Sequence, residues 1–191
     1  MASGQGSGGL LIHIVEVVPG RCEQCGDESD TYIAGSLQEG FQDVRLRVHQ
    51  CAHCGFRQSV VDESGAPGPT GRAVTLEVAS QADLARDIVK STTATVSIPD
   101  IGLQADVEGS RFCSVKSMLE EIYATLSAPS GLTPERLDML DELQQYIDGD
   151  APFSIVLDDP MGRSLVSAAD ADTLSVRTYD RSSAANDRSA A

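Results

Sequence analysis

Hydrophobic and polar residues alternate with a period of two in several short stretches of the chain. This period is typical of a strand with one buried face. The stretch LLIHIVEVV (10–18) is only nine residues long and is interrupted by His13 and Glu16, so it is neither a membrane helix nor a signal peptide, and we interpret it as a strand. Further strands are predicted at VRLRVHQC (44–51), AVTLEV (73–78), TATVSI (93–98), FSIVL (153–157) and LSVRTY (174–179). These patterns predict a mainly β protein.

Two segments between the strands at 93–98 and 153–157 follow the helical period instead. SVKSMLEEIYATL (114–126) repeats its apolar residues at three- and four-residue intervals from Val115, which places them on one helical face. After the break SAPSGL, Thr133 and Pro134 form an N-cap and first-turn pair for a second helix, and Gly149 ends it. The sequence thus predicts a helical hairpin at 114–149 inserted in a run of strands. Its predicted packing residues are Leu119, Ile122, Leu140 and Ile147.

Two cysteine pairs share one spacing. Cys22 and Cys25 are separated by two residues, as are Cys51 and Cys54, and glycine follows each pair. Two such knuckles are typical of a zinc ribbon, in which four thiolates hold one structural zinc ion and leave no position for water or substrate. A redox CxxC pair would need to begin a helix after a strand, which this pattern does not predict. A rubredoxin-like iron centre is the remaining alternative.

The histidines and the fifth cysteine offer little further chemistry. His13, His49 and His53 all precede residue 60. We interpret His49 and His53 as solvent-facing ribbon residues, because four cysteines already complete the metal site. Cys113 has no histidine after it in the chain, so we expect a small core residue and not a nucleophile.

The carboxylates of LDDP (157–160) are adjacent in the sequence. In a strand, Asp158 and Asp159 point to opposite faces and cannot share one ion, and before Pro160 we expect them to cap a turn. The sequence also holds no dinucleotide fingerprint, P-loop or nucleophile elbow. We therefore predict no catalytic residues and a protein that is not an enzyme.

The charge of the chain excludes some partners. Fourteen Lys and Arg against 29 Asp and Glu give a formal net charge of −15, which disfavours broad binding to phosphate backbones. No stretch approaches the roughly 18 apolar residues of a membrane helix, and no secretory signal is recognised. Cysteines in close pairs without such a signal indicate metal binding in a reducing compartment. We expect a cytoplasmic protein, also nuclear if its source is eukaryotic.

Four longer motifs occur in a familiar order: CAHCGFR (51–57), DLARDIVKSTTATVSIPDI (83–101), FSIVLDDPMGRS (153–164) and YDRSSAAND (179–187). Over about 20–187 the chain resembles the ZPR-type zinc-finger family. The resemblance implies a small zinc ribbon followed by a double-stranded β-helix, or jelly-roll-like, domain that carries the helical hairpin. The expected organisation is a flexible leader (1–9), a strand plus C4 ribbon (10–61), the jelly-roll-like domain with a core of its own (62–187) and a disordered tail (188–191). The Gly/Pro-rich stretch DESGAPGPTG (62–71) would connect ribbon and domain.

The resemblance also implies a function. Members of this family bind elongation factor one-alpha, so we expect a zinc-binding adaptor or chaperone that holds this or a related GTPase and assists its folding or signalling. The alternative is a ribbon that binds nucleic acid or the ribosome through a basic strip, and a ligand inside the β-helix barrel is a third possibility. Expected partner contacts are Arg45, Arg47 and Arg57 on the ribbon and Leu126, Leu132, Arg136 and Leu137 near the hairpin tip.

Overall fold

The fold is given by a computed structural model that describes residues 12–36, 45–63, 70–105, 107–128, 133–167 and 171–181. The predicted leader and tail lie outside these ranges, as do most of the connector and Leu132 at the hairpin tip. The helices are α1 (Gln81–Leu84), α2 (Val115–Leu126) and α3 (Pro134–Asp148). In chain order the strands are β1 (Ile12–Arg21), β2 (Glu28–Ser36), β3 (Arg45–Gln50), β4 (Arg57–Asp62), β5 (Thr70–Val78), β6 (Asp87–Lys90), β7 (Thr95–Ile98), β8 (Leu103–Ala105), β9 (Arg111–Ser114), β10 (Phe153–Asp159), β11 (Leu165–Val166) and β12 (Leu174–Asp180).

The N-terminal strands form one antiparallel sheet, which we call the ribbon sheet, in the order β1-β2-β3-β4. It consists of two hairpins, β1–β2 and β3–β4, joined side by side through β2 and β3. The strands predicted at 10–18 and 44–51 are β1 and β3. Strands β2 and β4 were not predicted, because neither shows a clear alternation of apolar and polar residues.

The remaining strands form two antiparallel sheets, which together with the helices make up the body of the protein. The larger sheet has the order β12-β5-β10-β7-β8, and the smaller has the order β11-β6-β9. Strand β10 is central in the larger sheet, and every second side chain along it is buried. The main hydrophobic core contains residues of both sheets, such as Leu76, Leu157 and Ile88, and residues of the helices. The strands predicted at 73–78, 93–98, 153–157 and 174–179 are confirmed as β5, β7, β10 and β12.

The helical hairpin is confirmed between β9 and β10. The hydroxyls of Ser114 and Thr133 cap α2 and α3, and Gly149 ends α3 in the left-handed conformation. The predicted packing residues are all buried: Leu119, Ile122, Leu140 and Ile147. No described helix is both long and apolar enough to cross a bilayer.

A second, smaller core cluster lies between the ribbon sheet and the body. Ala34, Leu46 and Val61 of the ribbon sheet are buried together with Val89 and Leu165 of the body. The end of the ribbon sheet is also bonded to the body, because the carbonyl of Glu63 accepts from Arg163 at 2.8 Å. The main core belongs to the body, as expected for a domain with a core of its own, and this second cluster joins the ribbon sheet to the body.

Asp159 connects three parts of the body. Its carboxylate lies at the end of β10, is fully buried, and accepts hydrogen bonds of 2.7–2.9 Å. Gly162 lets the turn after Pro160 close over this carboxylate, since its φ is +69° and a Cβ there would lie 2.7 Å from a backbone oxygen. The donors are the hydroxyls of Ser91, Thr93 and Ser164 and the backbone amides of Met161, Arg163 and Ser164. The turn-capping role predicted for both aspartates is thus confirmed for Asp159, whereas Asp158 accepts from a side chain of β12.

Asp158 points to the opposite face of β10, as predicted, and accepts a 2.5 Å hydrogen bond from the Tyr179 hydroxyl on β12.

For Asp159, burial acts to raise the pKa, but the hydrogen bonds from Thr93, Ser91 and their neighbours outweigh it and lower the pKa below its ordinary value. A carboxylate with a lowered pKa in the folded state stabilises the fold above its unfolded pKa of about 3.9. That contribution is lost as the pH falls through the folded pKa.

We predict that Asp159→Asn destabilises the protein at pH 7 by at least about 2 kcal/mol, because an amide cannot accept from all of these donors and its own NH₂ would face some of them. Asp172→Asn, in an exposed turn, is the control and should change stability by less than about 0.5 kcal/mol. Urea unfolding measures both. The difference in free energy of unfolding between the parent and Asp159→Asn should become smaller as the pH falls below about 4. A difference that does not change with pH would contradict the ionised state of Asp159.

Candidate metal centre

The four paired cysteines meet at one end of the ribbon sheet. Cys22 follows β1 directly and Cys51 follows β3, so each CxxC pair forms the turn of one hairpin. All four Sγ atoms lie within 4.8 Å of one another. Two of the separations are 3.6 Å, between Cys22 and Cys54, and 3.7 Å, between Cys25 and Cys51. A tetrahedral zinc ion with Zn–S bonds of about 2.3 Å would hold its sulfurs about 3.8 Å apart, so the cysteines are positioned to bind one zinc ion.

The backbone of the two knuckles is nearly identical. Gly26 and Gly55 have φ angles of +78° and +75°, and their amides donate to the carbonyls of Cys22 and Cys51 at 2.8 and 3.0 Å. Glycine adopts this left-handed conformation without steric cost. The glycine after each pair therefore closes a tight turn around the sulfurs.

The electrostatics of the cluster favour a bound cation. The amide of Cys54, followed by that of His53, lowers the pKa of the Cys51 thiol to about 6. The amide of Asp27 likewise lowers the pKa of Cys25, but desolvation and the other three sulfurs outweigh it and raise this pKa to about 12. Four thiols so close together cannot all ionise without a positive charge among them. With four sulfur ligands the coordination shell is closed, which fits a structural ion.

The histidines near the second knuckle differ in environment. His53 is exposed, as predicted, and its Nε2 lies 3.1 Å from the carboxylate of Asp27. His49 is buried, so the prediction that it faces solvent is wrong: its Nδ1 lies 3.1 Å from the Thr31 hydroxyl, and its ring packs beside Phe56. Alternation along β3 places His49 on the same face as Arg45 and Arg47. Nothing in the sequence indicated that Phe56 and Thr31 would cover this histidine. Neither histidine belongs to the sulfur cluster.

The fifth cysteine, Cys113, does not belong to the sulfur cluster. Cys113 on β9 packs against the edge of the main core, as predicted. Burial raises the pKa of its thiol to about 11, so the thiol remains protonated at neutral pH.

The register divides the three predicted ribbon arginines between two faces. Arg45 and Arg47 are two residues apart on β3 and share one face, whereas Arg57 on β4 pairs with Gln50, which lies on the other face. All three are exposed. A continuous basic strip, which binding to a phosphate backbone requires, is therefore not formed by these residues.

The predicted contact residues of the hairpin have different exposures. Leu126 is half-buried and packs against the main core, and Arg136 is also half-buried. Leu137 has 48% of its surface exposed on α3. Leu132 lies outside the described residues. Of the described leucines near the tip, Leu137 is thus the one that a partner could reach.

Comparison with known proteins identifies relatives. Residues 82–190 match the model of the ZPR1 jelly-roll domain. The chain is 31% identical over 182 residues to "Zinc finger chaperone zpr1" of Schizosaccharomyces pombe, which covers 87% of this chain and 40% of that protein. It is 27% identical over 154 residues to "Zinc finger protein ZPR1" of Homo sapiens, which covers 75% of this chain and 34% of the human protein.

The chain thus spans well under half the length of these relatives. The family match and the cysteine cluster together confirm the predicted fold class, a mainly β chain with a small zinc ribbon, a jelly-roll domain and a helical hairpin.

We predict one zinc ion per chain and its loss in Cys51→Ser, measured by elemental analysis of the purified protein. Cys113→Ser is the matched control and should keep one zinc, because Cys113 lies outside the cluster. Structural zinc contributes about 10–16 kcal/mol in zinc-finger peptides, so Cys51→Ser should also unfold the ribbon sheet. Because that sheet packs on Val89 and Leu165, the body should melt at a lower temperature. An unchanged zinc content in Cys51→Ser, or a folded ribbon without metal, would contradict the assignment.

Proposed function

This chain belongs to the ZPR1 zinc-finger family, and we propose that it is a zinc-binding chaperone that holds a translation elongation GTPase, elongation factor one-alpha or a related protein, while that GTPase folds. The observation that carries the proposal is the match to a relative named as a zinc finger chaperone, over 87% of this chain. The closed four-sulfur site supports a non-catalytic role, since it offers no open coordination position. The proposed location is the cytoplasm, where such GTPases act.

The exposed face of α3 supports contact with a positively charged protein surface. Within α3 the acidic residues are Glu135, Asp138, Asp141, Glu142 and Asp148, all exposed, against one base, Arg136. Leu137 is 48% exposed at the border of this acidic face, because it lies three residues before the buried Leu140 and four before the exposed Asp141. An apolar side chain with carboxylates on one side would fit an apolar notch that has lysines or arginines beside it. We infer that the client GTPase offers such a surface to the hairpin.

The test uses denatured elongation factor one-alpha diluted into buffer with and without this protein. We expect this protein to increase the recovered GTP binding, and Leu137→Asp to weaken capture of the client at least several-fold, because interface anchors contribute about 1 kcal/mol or more. The free variant should melt like the parent, since exposed substitutions cost little stability.

Val176→Asp is the matched control, because Val176 on β12 is also 48% exposed but lies outside the hairpin. This variant should capture the client as the parent does. If both variants capture the client equally weakly, the hairpin is not the contact surface. If the parent gives no gain in recovered GTP binding, the proposed function itself is wrong.

A further inference from the structure

Strand β1 forms an open edge of the ribbon sheet. Among the described residues its outer side pairs with no other strand. The opposite edge of the sheet lies against the body, where the Val61 amide donates to the Ser110 hydroxyl at 3.1 Å. An unpaired row of backbone N–H and C=O groups is a template for another strand.

The edge strand is apolar on both of its faces. Ile14 and Val17 lie opposite Ala34 and Tyr32 of β2 and are 61% and 46% exposed. Val15, which is 50% exposed, approaches Gly35 on the other face. Soluble proteins usually protect an open edge with charged residues, proline, a bulge or a covering segment. β1 has a bulge at Val15 and ends with Pro19 and Arg21, but from residue 12 to residue 18 its one carboxylate is Glu16 and it carries no lysine or arginine.

The edge strand of the body shows the contrast. β12 forms one edge of the larger sheet, and its exposed Val176 is followed by Arg177 and Thr178. These polar neighbours protect β12 in the usual way. β1 thus presents a longer apolar run at its sheet edge than β12 does.

The sequence of β1 is complementary to itself in one antiparallel register. With a twofold axis between residues 14 and 15, His13 of one copy lies opposite Glu16 of the other, and every other pair from 12 to 17 is apolar. His13 and Glu16 share a face, because they pair with Gly35 and Ile33, which are two residues apart on β2. In a regular strand, residues three positions apart point to opposite faces. The bulge at Val15 adds one residue between Ile14 and Glu16 and so brings His13 and Glu16 to the same face. A register shifted by one residue would place Glu16 opposite an apolar residue.

From this edge we propose that two copies of the chain pair antiparallel through β1 and form a homodimer with one continuous sheet across the twofold axis. Such an interface is isologous, so each copy gives and receives the same contacts. The net charge of −15 on each copy opposes association at low ionic strength. Salt shortens the screening length to about 3 Å at 1 M, so dimerisation should strengthen as salt is added. This proposal does not depend on the proposed chaperone function.

The first test is sedimentation velocity over a range of protein concentrations at low salt and at about 1 M KCl. The zinc-loaded parent should shift from monomer towards dimer with concentration, and more readily at high salt. Ile14→Lys should raise the dimer dissociation constant by about tenfold or more, because it places a charge in the new strand pair. Val176→Lys on β12 is the control and should dimerise like the parent. Zinc content and melting temperature show that each variant is folded.

The second test addresses the register. Glu16→Lys places positive charge opposite His13 in its own homodimer, and His13→Glu places two carboxylates opposite each other in its own, so each variant should dimerise more weakly than the parent. In the mixed dimer of the two variants the new lysine faces the new glutamate, and His13 faces Glu16 as in the parent. Mixing differently labelled variants should therefore give a heterodimer signal above that of either variant with itself.

Three outcomes would overturn the proposal. A parent that stays monomeric at high salt and high concentration has no such interface. A dimer that Ile14→Lys leaves unchanged forms elsewhere on the molecule. Weak self-association that mixing of the two charge variants does not restore excludes the proposed register.

Discussion

Four sulfurs can surround one ion only if two hairpins end at the same place, and this requirement sets the geometry of the N-terminal part of the chain. The pairing of β2 with β3 brings the turn after β1 next to the turn after β3. Once that register is fixed, alternate residues of β2, β3 and β4 face the body. The metal centre therefore affects packing beyond its own ligands, because it aligns the strands of the ribbon sheet. The apolar face of these strands, which includes Leu46 and Val61, packs against the body.

The features that could be predicted from sequence are those with a local signal. The period of two in β5 and β10, the helical period of α2 and the spacing of the cysteines are each readable within a short window. The unpredicted features depend on residues far apart in the chain. Asp159 is recognisable as a turn residue, but its bonds to Ser91 and Thr93 span more than 60 positions.

Buried charge was the least predictable property. Lys90 is fully buried and donates to the carbonyls of Ser91 and Gly109, and Arg86 is buried beside Asp83. Nothing in local composition distinguishes these bases from exposed ones, because each also needs a partner from a distant segment: the carbonyl of Gly109 for Lys90 and the hydroxyl of Thr173 for Arg86. The same limit explains the error at His49. Its position in β3 follows from alternation, whereas its burial follows from the fold of the neighbouring knuckle.

The helical hairpin has a consequence for how the family can diverge in length. Each helix carries its own start signal, at Ser114 and Thr133, and α3 its own stop at Gly149, so neither depends on the tip between them. The buried residues that attach the hairpin, such as Met118 and Leu143, lie along the helices and not in the tip. Because the entropy of closing a loop grows only slowly with its length, insertions at this point would leave the jelly-roll almost undisturbed. Evolution can therefore reshape the reach of the hairpin without altering the scaffold that presents it.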